Sequence, residues 1–223
     1  AEDGVDVYWG QNQMMPRRLV RTCRRVLTVH DLTGLLFPKT VQLRHRLSCR
    51  VNFRAAVRAA DRIVAVSMAT ARLLDVYLGA GSRVSTVYPG CAAALKPVTD
   101  ASVRGPVLQR LGLPQDYMLT VGTIEPRKNH LTLLRALAAL KADLPLVVVG
   151  GLGWRCMPIL REIRRQQSAG RVLYIGRVSD EDLMVLYSAA KLMIYPSIYE
   201  GFGSPVLEAM ACGCPVLCSW SSS

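Results

Sequence analysis

Met118-Leu119-Thr120-Val121-Gly122-Thr123-Ile124-Glu125-Pro126-Arg127-Lys128-Asn129-His130 opens on a short, largely apolar run, turns through a glycine and a proline with two cations, and leads into a helical pattern from Leu131 to Leu140. A second apolar run, Leu146 to Val149, follows directly. An apolar run, an amphipathic segment and another apolar run make the βαβ signature of a parallel sheet covered on both faces. The alternation extends in both directions. It predicts strands at Val26 to Val29, Ile63 to Val66, Val84 to Tyr88, Val172 to Ile175, Leu192 to Tyr195 and Pro215 to Leu217, with helices between them. The fold class is α/β. The least periodic stretch, about Cys91 to Asp116, holds Pro97, Gly105, Pro106, Gly112 and Pro114 and marks a junction. Residues 1–95 therefore read as one domain, 96–116 as a linker and 117–223 as a second domain. The chain opens on the strand-like Val5-Asp6-Val7-Tyr8 and closes on Ser219-Trp220-Ser221-Ser222-Ser223 directly after a strand, so both domains are expected to be incomplete.

Composition narrows the function. The 223 residues carry a net charge of +12 and are 51% hydrophobic, which excludes a disordered chain. Aromatic residues, at 6%, are too few for an RNA-binding sheet of stacked rings. The longest apolar stretch, around Leu144 to Trp154, is too short and glycine-rich to span a bilayer. The acidic, polar start, Ala1-Glu2-Asp3-Gly4, lacks the form of a signal peptide. The 7 cysteines show no paired C-x-x-C spacing and read as reduced, mostly buried thiols of a cytoplasmic protein.

Two segments carry chemistry. In Tyr199-Glu200-Gly201-Phe202-Gly203-Ser204-Pro205-Val206-Leu207-Glu208-Ala209-Met210-Ala211-Cys212-Gly213 a glycine loop feeds a helix, with Ser204 expected as its N-cap and Pro205 at its first position. Main-chain amides at such a terminus favour an anion or an oxygen-rich ligand, and glycines leave room for it. Glu200 and Glu208 would bracket that ligand as acceptors for sugar hydroxyls. In the opening segment, Arg127 and Lys128 follow a strand end, where ligands of open α/β sheets bind, and suit a diphosphate.

With these residues in view, Val121 to Leu217 closely resembles the nucleotide-sugar-binding domain of family 4 glycosyltransferases, retaining enzymes of the two-domain GT-B fold. Glu200 and Glu208 match the E-x7-E pattern of that family. Val147-Val148-Val149-Gly150-Gly151-Leu152-Gly153-Trp154 and Gly176-Arg177-Val178-Ser179-Asp180-Glu181-Asp182-Leu183 support the match. Upstream, Val29-His30-Asp31-Leu32 and Ala60-Asp61-Arg62-Ile63-Val64-Ala65-Val66-Ser67 resemble its acceptor domain. The resemblance implies two Rossmann-like parallel-sheet domains. It implies that Arg127 and Lys128 neutralise the donor diphosphate, that Glu208 holds the ribose, that Glu200 with the backbone of Phe202 and Gly203 holds the transferred sugar, and that Gly122 and Ser204 belong to the same donor site. Arg177 and Val178 would face the nucleobase, and His30 the reaction centre. Donors would be GDP- or UDP-hexoses, with mannose or glucose as the sugar. Acceptors would be glycans or lipid-linked glycans of cell-surface polysaccharide or lipopolysaccharide. A binding-only relative of the family is the alternative function. The resemblance implies transfer without a metal, so no metal and no other cofactor is expected.

Arg46, Arg50, Arg54 and Arg58 recur every fourth residue on a helix predicted from Thr40 to Ala60, with Arg62 just beyond, beside an apolar row of Leu43, Leu47, Val51, Ala55 and Ala59. Such a stripe would dock on an anionic membrane surface, which implies a peripheral protein on the inner face. No helix-turn-helix, zinc-finger or aromatic-rich strand accompanies the positive charge, so nucleic acid is not expected as a partner. No G-x-G-x-x-G follows a strand, which removes the dinucleotide-dependent dehydrogenases. Cys212, Cys214 and Cys218 are spaced for packing rather than for metal.

Overall fold

In the computed structural model of the chain the described residues are 5–16, 23–38, 47–140 and 143–222, the side chain of Arg50 excepted. They fall into two compact units, Ala1–Pro89 with Tyr199–Phe202 and Ser222–Ser223, and Gly90–Ile198 with Gly203–Ser221.

The first unit is built on parallel strands in the order β1 (Val7–Gly10), β2 (Arg24–Val29), β3 (Arg62–Ala65) and β4 (Val84–Thr86). Leu27 pairs with Ile63 and Val29 with Ala65, so these alternate residues share one face and bury against Phe53, Ala56, Val57 and Leu74. Helix α1 spans Thr33–Leu36, α2 Arg54–Ala59 and α3 Met68–Leu78. Ser67 caps α3 by accepting the Thr70 N–H at 3.1 Å. β4 stops at Thr86, short of the expected Tyr88, although the Val87 N–H still donates to Ala65 O at 2.9 Å.

Of the helix expected from Thr40 to Ala60, Leu43 and Arg46 lie outside the described residues, as does the side chain of Arg50. Residues 47–59 are helical, with a π-helical turn at Cys49–Phe53 running into α2. Its buried residues are Cys49, Phe53, Ala56, Val57 and Ala60. The apolar row read beside the arginines is therefore not the packing face. Leu47 and Val51 are 55% and 63% exposed, in company with exposed Arg54 and Arg58. The buried residues keep the i, i+4, i+7 spacing of a helix face, but on a different face from the apolar row, whose Leu47 is already exposed ahead of the π-helical turn.

The second unit is a parallel sheet in the order β7 (Val172–Gly176), β6 (Leu146–Val149), β5 (Met118–Val121), β8 (Leu192–Tyr195) and β9 (Val216–Cys218). Successive residues enter opposite cores. Leu119, Val121, Val147, Val149, Met193 and Tyr195 pack into one cluster, and Met118, Leu146, Val148, Val172 and Ile194 into the other. Burial on both faces is why these strands read as unbroken apolar runs.

The stretch 96–116, read as a linker, contains helix α4 (Ala101–Arg110), which belongs to this unit and buries Leu108. Asp100 caps it by accepting the Ser102 N–H at 2.8 Å. Gly105 and Pro106 inside it hide the helical periodicity and give up a main-chain donor. The remaining helices are α5 (His130–Leu140), α6 (Met157–Ser168), α7 (Asp180–Ala189) and α8 (Ser204–Ala211). Among the described residues no helix is long and apolar enough to cross a membrane.

Candidate active site

In the second sheet β6 lies on one side of β5 and β8 on the other, so the winding reverses between β5 and β8. The crevice at the carboxyl ends of strands at such a reversal is where open α/β sheets hold ligands. Gly122 leaves β5 with its N–H donated to Val149 O at 2.9 Å, and Pro126–Lys128 then form a 3₁₀ turn. Lys128 crosses the reversal: its Nζ donates to the Tyr195 hydroxyl at 2.7 Å and lies 5.0 Å from that ring's centre. The phenol at the end of β8 thus places a cation from the β5 turn. Arg127 donates from Nη2 to Glu125 Oε1 at 2.7 Å, with the two side chains only 16% and 20% exposed. His130, next in line, is 3% exposed with Nδ1 unpartnered. Burial, followed by the nearby Lys128 charge, pushes its pKa down to about 4, so the ring is neutral near pH 7.

The N-terminus of α8 opens beside the same sheet end. Ser204, expected as the N-cap, is instead the first helical residue; Gly203 is the cap, at φ 93°, and supplies no side-chain cap. Glycine takes that left-handed conformation at low cost, whereas serine does not. Glu208, one turn further, accepts from the Tyr187 hydroxyl at 2.9 Å. Tyr187 is fully buried, and burial, followed by the carboxylate itself, raises its pKa and keeps the phenol a donor. Arg177 and Val178 follow β7. A side chain at Gly151 would run into the Arg177 guanidinium, so Arg177 lies across that main chain, while Val178 packs on the core.

The other expected residues belong to the first unit. His30 leaves the carboxyl end of β2, and its Nε2 donates to Gln11 O at 2.9 Å. It borders a cavity of about 350 Å³ with Asn12, Gln13, Asp31, Ser48 and Asn52. Asp31 Oδ1 is occupied by the Thr33 N–H at 2.8 Å. The loop Tyr199–Phe202 is pinned here: the Leu32 N–H donates to the Tyr199 hydroxyl at 2.9 Å and Thr70 Oγ1 to Gly201 O at 3.2 Å. A Cβ at Gly201 would collide with the His30 carbonyl oxygen. The Phe202 ring faces Tyr88 at 6.3 Å. Glu200 is therefore carried by the first unit and Glu208 by the second.

Tyr187, Tyr195, Tyr199 and Glu125 hold the expected residues in place and were not singled out from the sequence, because a buried tyrosine there reads as core. Cys212 and Cys214 are buried thiols, whereas Cys218 is exposed. Among the described residues no group of three or more His, Cys, Asp or Glu side chains could hold a metal ion.

Residues 109–223 match the family model of glycosyl transferases group 1. The chain belongs to this family. It is 35% identical over 219 residues to O-antigen chain mannosyltransferase B of Escherichia coli, an alignment covering 96% of this chain and 56% of that protein. The chain thus spans little more than half the length of that relative. Among solved structures, Anabaena Alr3699/HepE in complex with UDP and glucose superposes with a TM-score of 0.73 at 23% identity, over 90% of this chain and 54% of that one. WaaG, a glycosyltransferase involved in lipopolysaccharide biosynthesis, also gives 0.73, at 21% identity over 98% of this chain and 60% of that one. Like these solved structures, the chain has the parallel-sheet, Rossmann-like units of the GT-B fold.

Proposed function

We propose that the chain serves a retaining, family 4 hexosyltransferase that moves mannose, or a related hexose, from a GDP- or UDP-sugar to a glycan or lipid-linked acceptor in lipopolysaccharide or cell-surface polysaccharide synthesis. One observation carries the reading: Lys128, tied to Tyr195 across the sheet reversal, stands with the glycine-capped N-terminus of α8 at one strand-end crevice. The name of the Escherichia coli relative favours mannose as the sugar.

In this reading the bond from the anomeric carbon to the diphosphate oxygen breaks, and its electron pair stays on that oxygen. Lys128, Arg127 and the amides near Gly203 and Ser204 meet the growing negative charge, stabilising the transition state more than the bound donor. The acceptor hydroxyl attacks from the face the diphosphate leaves, and its proton passes to a phosphate oxygen, so configuration is retained without a metal. Glu208 binds the ribose, Arg177 and Val178 the base, and His30, Glu200 and Phe202 the transferred sugar. The exposed Leu47 and Val51 beside Arg54 and Arg58 supply apolar and cationic contact with an anionic membrane on the cytoplasmic side. Nucleic acid has no part in this reading.

Thermal stability with UDP, GDP and their glucose and mannose conjugates, without metal, tests it. A rise with one nucleotide series that disappears in Lys128→Ala or Glu208→Ala is the expected result. A folded chain indifferent to all of them removes the reading.

A further inference from the structure

The amino ends of β2, β3 and β4 carry a concentration of charge that the donor site does not use. Arg24 and Arg62 are the first residues of β2 and β3, and Arg83 directly precedes β4. With Arg25, Arg58 and Asp61 they line an open cleft of about 730 Å³. Because the strands are parallel, this cleft lies at the end of the sheet opposite to His30. Among the described residues, five guanidinium groups meet one carboxylate. Two of the five are fixed by the fold. Arg83 donates from Nη1 to Val57 O at 2.9 Å and to Ala60 O at 2.6 Å. Asp61 Oδ2 accepts the Arg25 main-chain N–H at 2.7 Å and stands 3.4 Å from its Nε. Those contacts, the main-chain one foremost, hold the Asp61 carboxyl below the ordinary range, so it stays ionised. Among the described residues the side chains of Arg24, Arg58 and Arg62 make no hydrogen bond or ion pair.

Guanidinium groups do not discharge by losing a proton, so crowding them around one carboxylate is unfavourable until an anion enters. Their planar forks bind phosphate oxygens two at a time, and two already oriented forks lose less freedom on binding than mobile ones. We propose that this cleft binds a phosphate-bearing anion, a diphosphate or phosphate ester, at a site separate from the donor diphosphate site.

The test is calorimetric titration of pyrophosphate, at fixed ionic strength, into the full chain carrying Lys128→Ala, which disables the proposed donor site. Binding should persist there and weaken at least tenfold when Arg24→Ser and Arg62→Ser are added, with melting temperature unchanged because both side chains are exposed. Arg58→Ser alone should weaken it several-fold and serves if the pair fails to fold. Binding abolished by Lys128→Ala alone, or unaffected by the cleft variants, overturns the proposal. So does a chain that holds long DNA but not pyrophosphate, since that describes a diffuse polyanion surface. Vesicles identify the source: phosphatidylglycerol binding that pyrophosphate displaces and the cleft variants lose supports a lipid headgroup. Pyrophosphate binding with no preference for phosphatidylglycerol over phosphatidylcholine supports a soluble ligand.

Discussion

The loop Tyr199–Phe202 and the crevice formed by Gly122–His130, Tyr195 and Glu208 are placed by different means. The loop is held mainly through main chain: its Gly201 carbonyl accepts from Thr70 and a Cβ at Gly201 would meet the His30 carbonyl, with the Tyr199 hydroxyl accepting the Leu32 N–H beside them. The crevice is held through side chains: Lys128 to Tyr195, Arg127 to Glu125 and Glu208 to Tyr187. A main-chain clamp sets where a residue starts but leaves its side chain to find the ligand. Side-chain ties set the functional atoms themselves, as stabilising charge that develops in a reaction requires. The loop should therefore fail when a methyl group is added, and the crevice when a charge or hydroxyl is removed.

Lys128→Ala gives the largest expected effect. Donor turnover should fall about 10²- to 10³-fold, or roughly 3–4 kcal/mol, with circular dichroism unchanged. Wild-type turnover in this variant would break the comparison at its stronger side. Gly201→Ala should cost about 3 kcal/mol in chemical denaturation, because the obstacle is a backbone carbonyl that cannot swing aside, while nucleotide binding to the second unit persists. If this variant melts like wild type, the loop is not clamped by its main chain.

Acid probes the crevice by another route. The folded pKa of His130, about 4, lies below its ordinary 6.5, so between those values the unfolded chain binds the extra proton. The neutral buried ring therefore contributes stability that is complete above about pH 6.5 and is lost as the pH falls to 4, on the order of 3 kcal/mol. His130→Phe should flatten denaturation midpoints across that window, and an unchanged slope would assign the acid response elsewhere. Glu208→Gln should weaken nucleotide binding about tenfold, roughly 1.4 kcal/mol, measured by calorimetry. The smallest effect sharpens the contrast. Tyr187→Phe removes only the hydroxyl that orients Glu208 and should cost about 1 kcal/mol in binding, leaving the tie to Lys128 intact.

Much of the architecture was legible in the residue order. Apolar runs at Met118, Leu146, Val172 and Leu192 are strands because a parallel sheet buried on both faces leaves no polar alternation to blur them. Helix α4 was not legible, since Gly105 and Pro106 interrupt the pattern that Leu108 completes only by packing. The face of the segment leading into α2 was misread because two apolar rows are available at helical spacing, and only packing selects the one through Cys49, Phe53, Ala56 and Ala60. For the site, the turn cations and the glycine-bounded glutamates were visible as types at a spacing, but their supports were not.

The sequence by itself determined the α/β class, the positions of most strands, and the two loops where charge and glycine coincide at strand ends, because these follow from short-range periodicity and backbone freedom. Only the tertiary structure decided that Gly203 rather than Ser204 caps α8, that tyrosines from a strand end and a neighbouring helix hold Lys128 and Glu208, and that five arginines from separated segments share one cleft. Those outcomes depend on contacts between residues distant in the chain, whose cost and benefit are set by burial and by the direction each strand carries its ends.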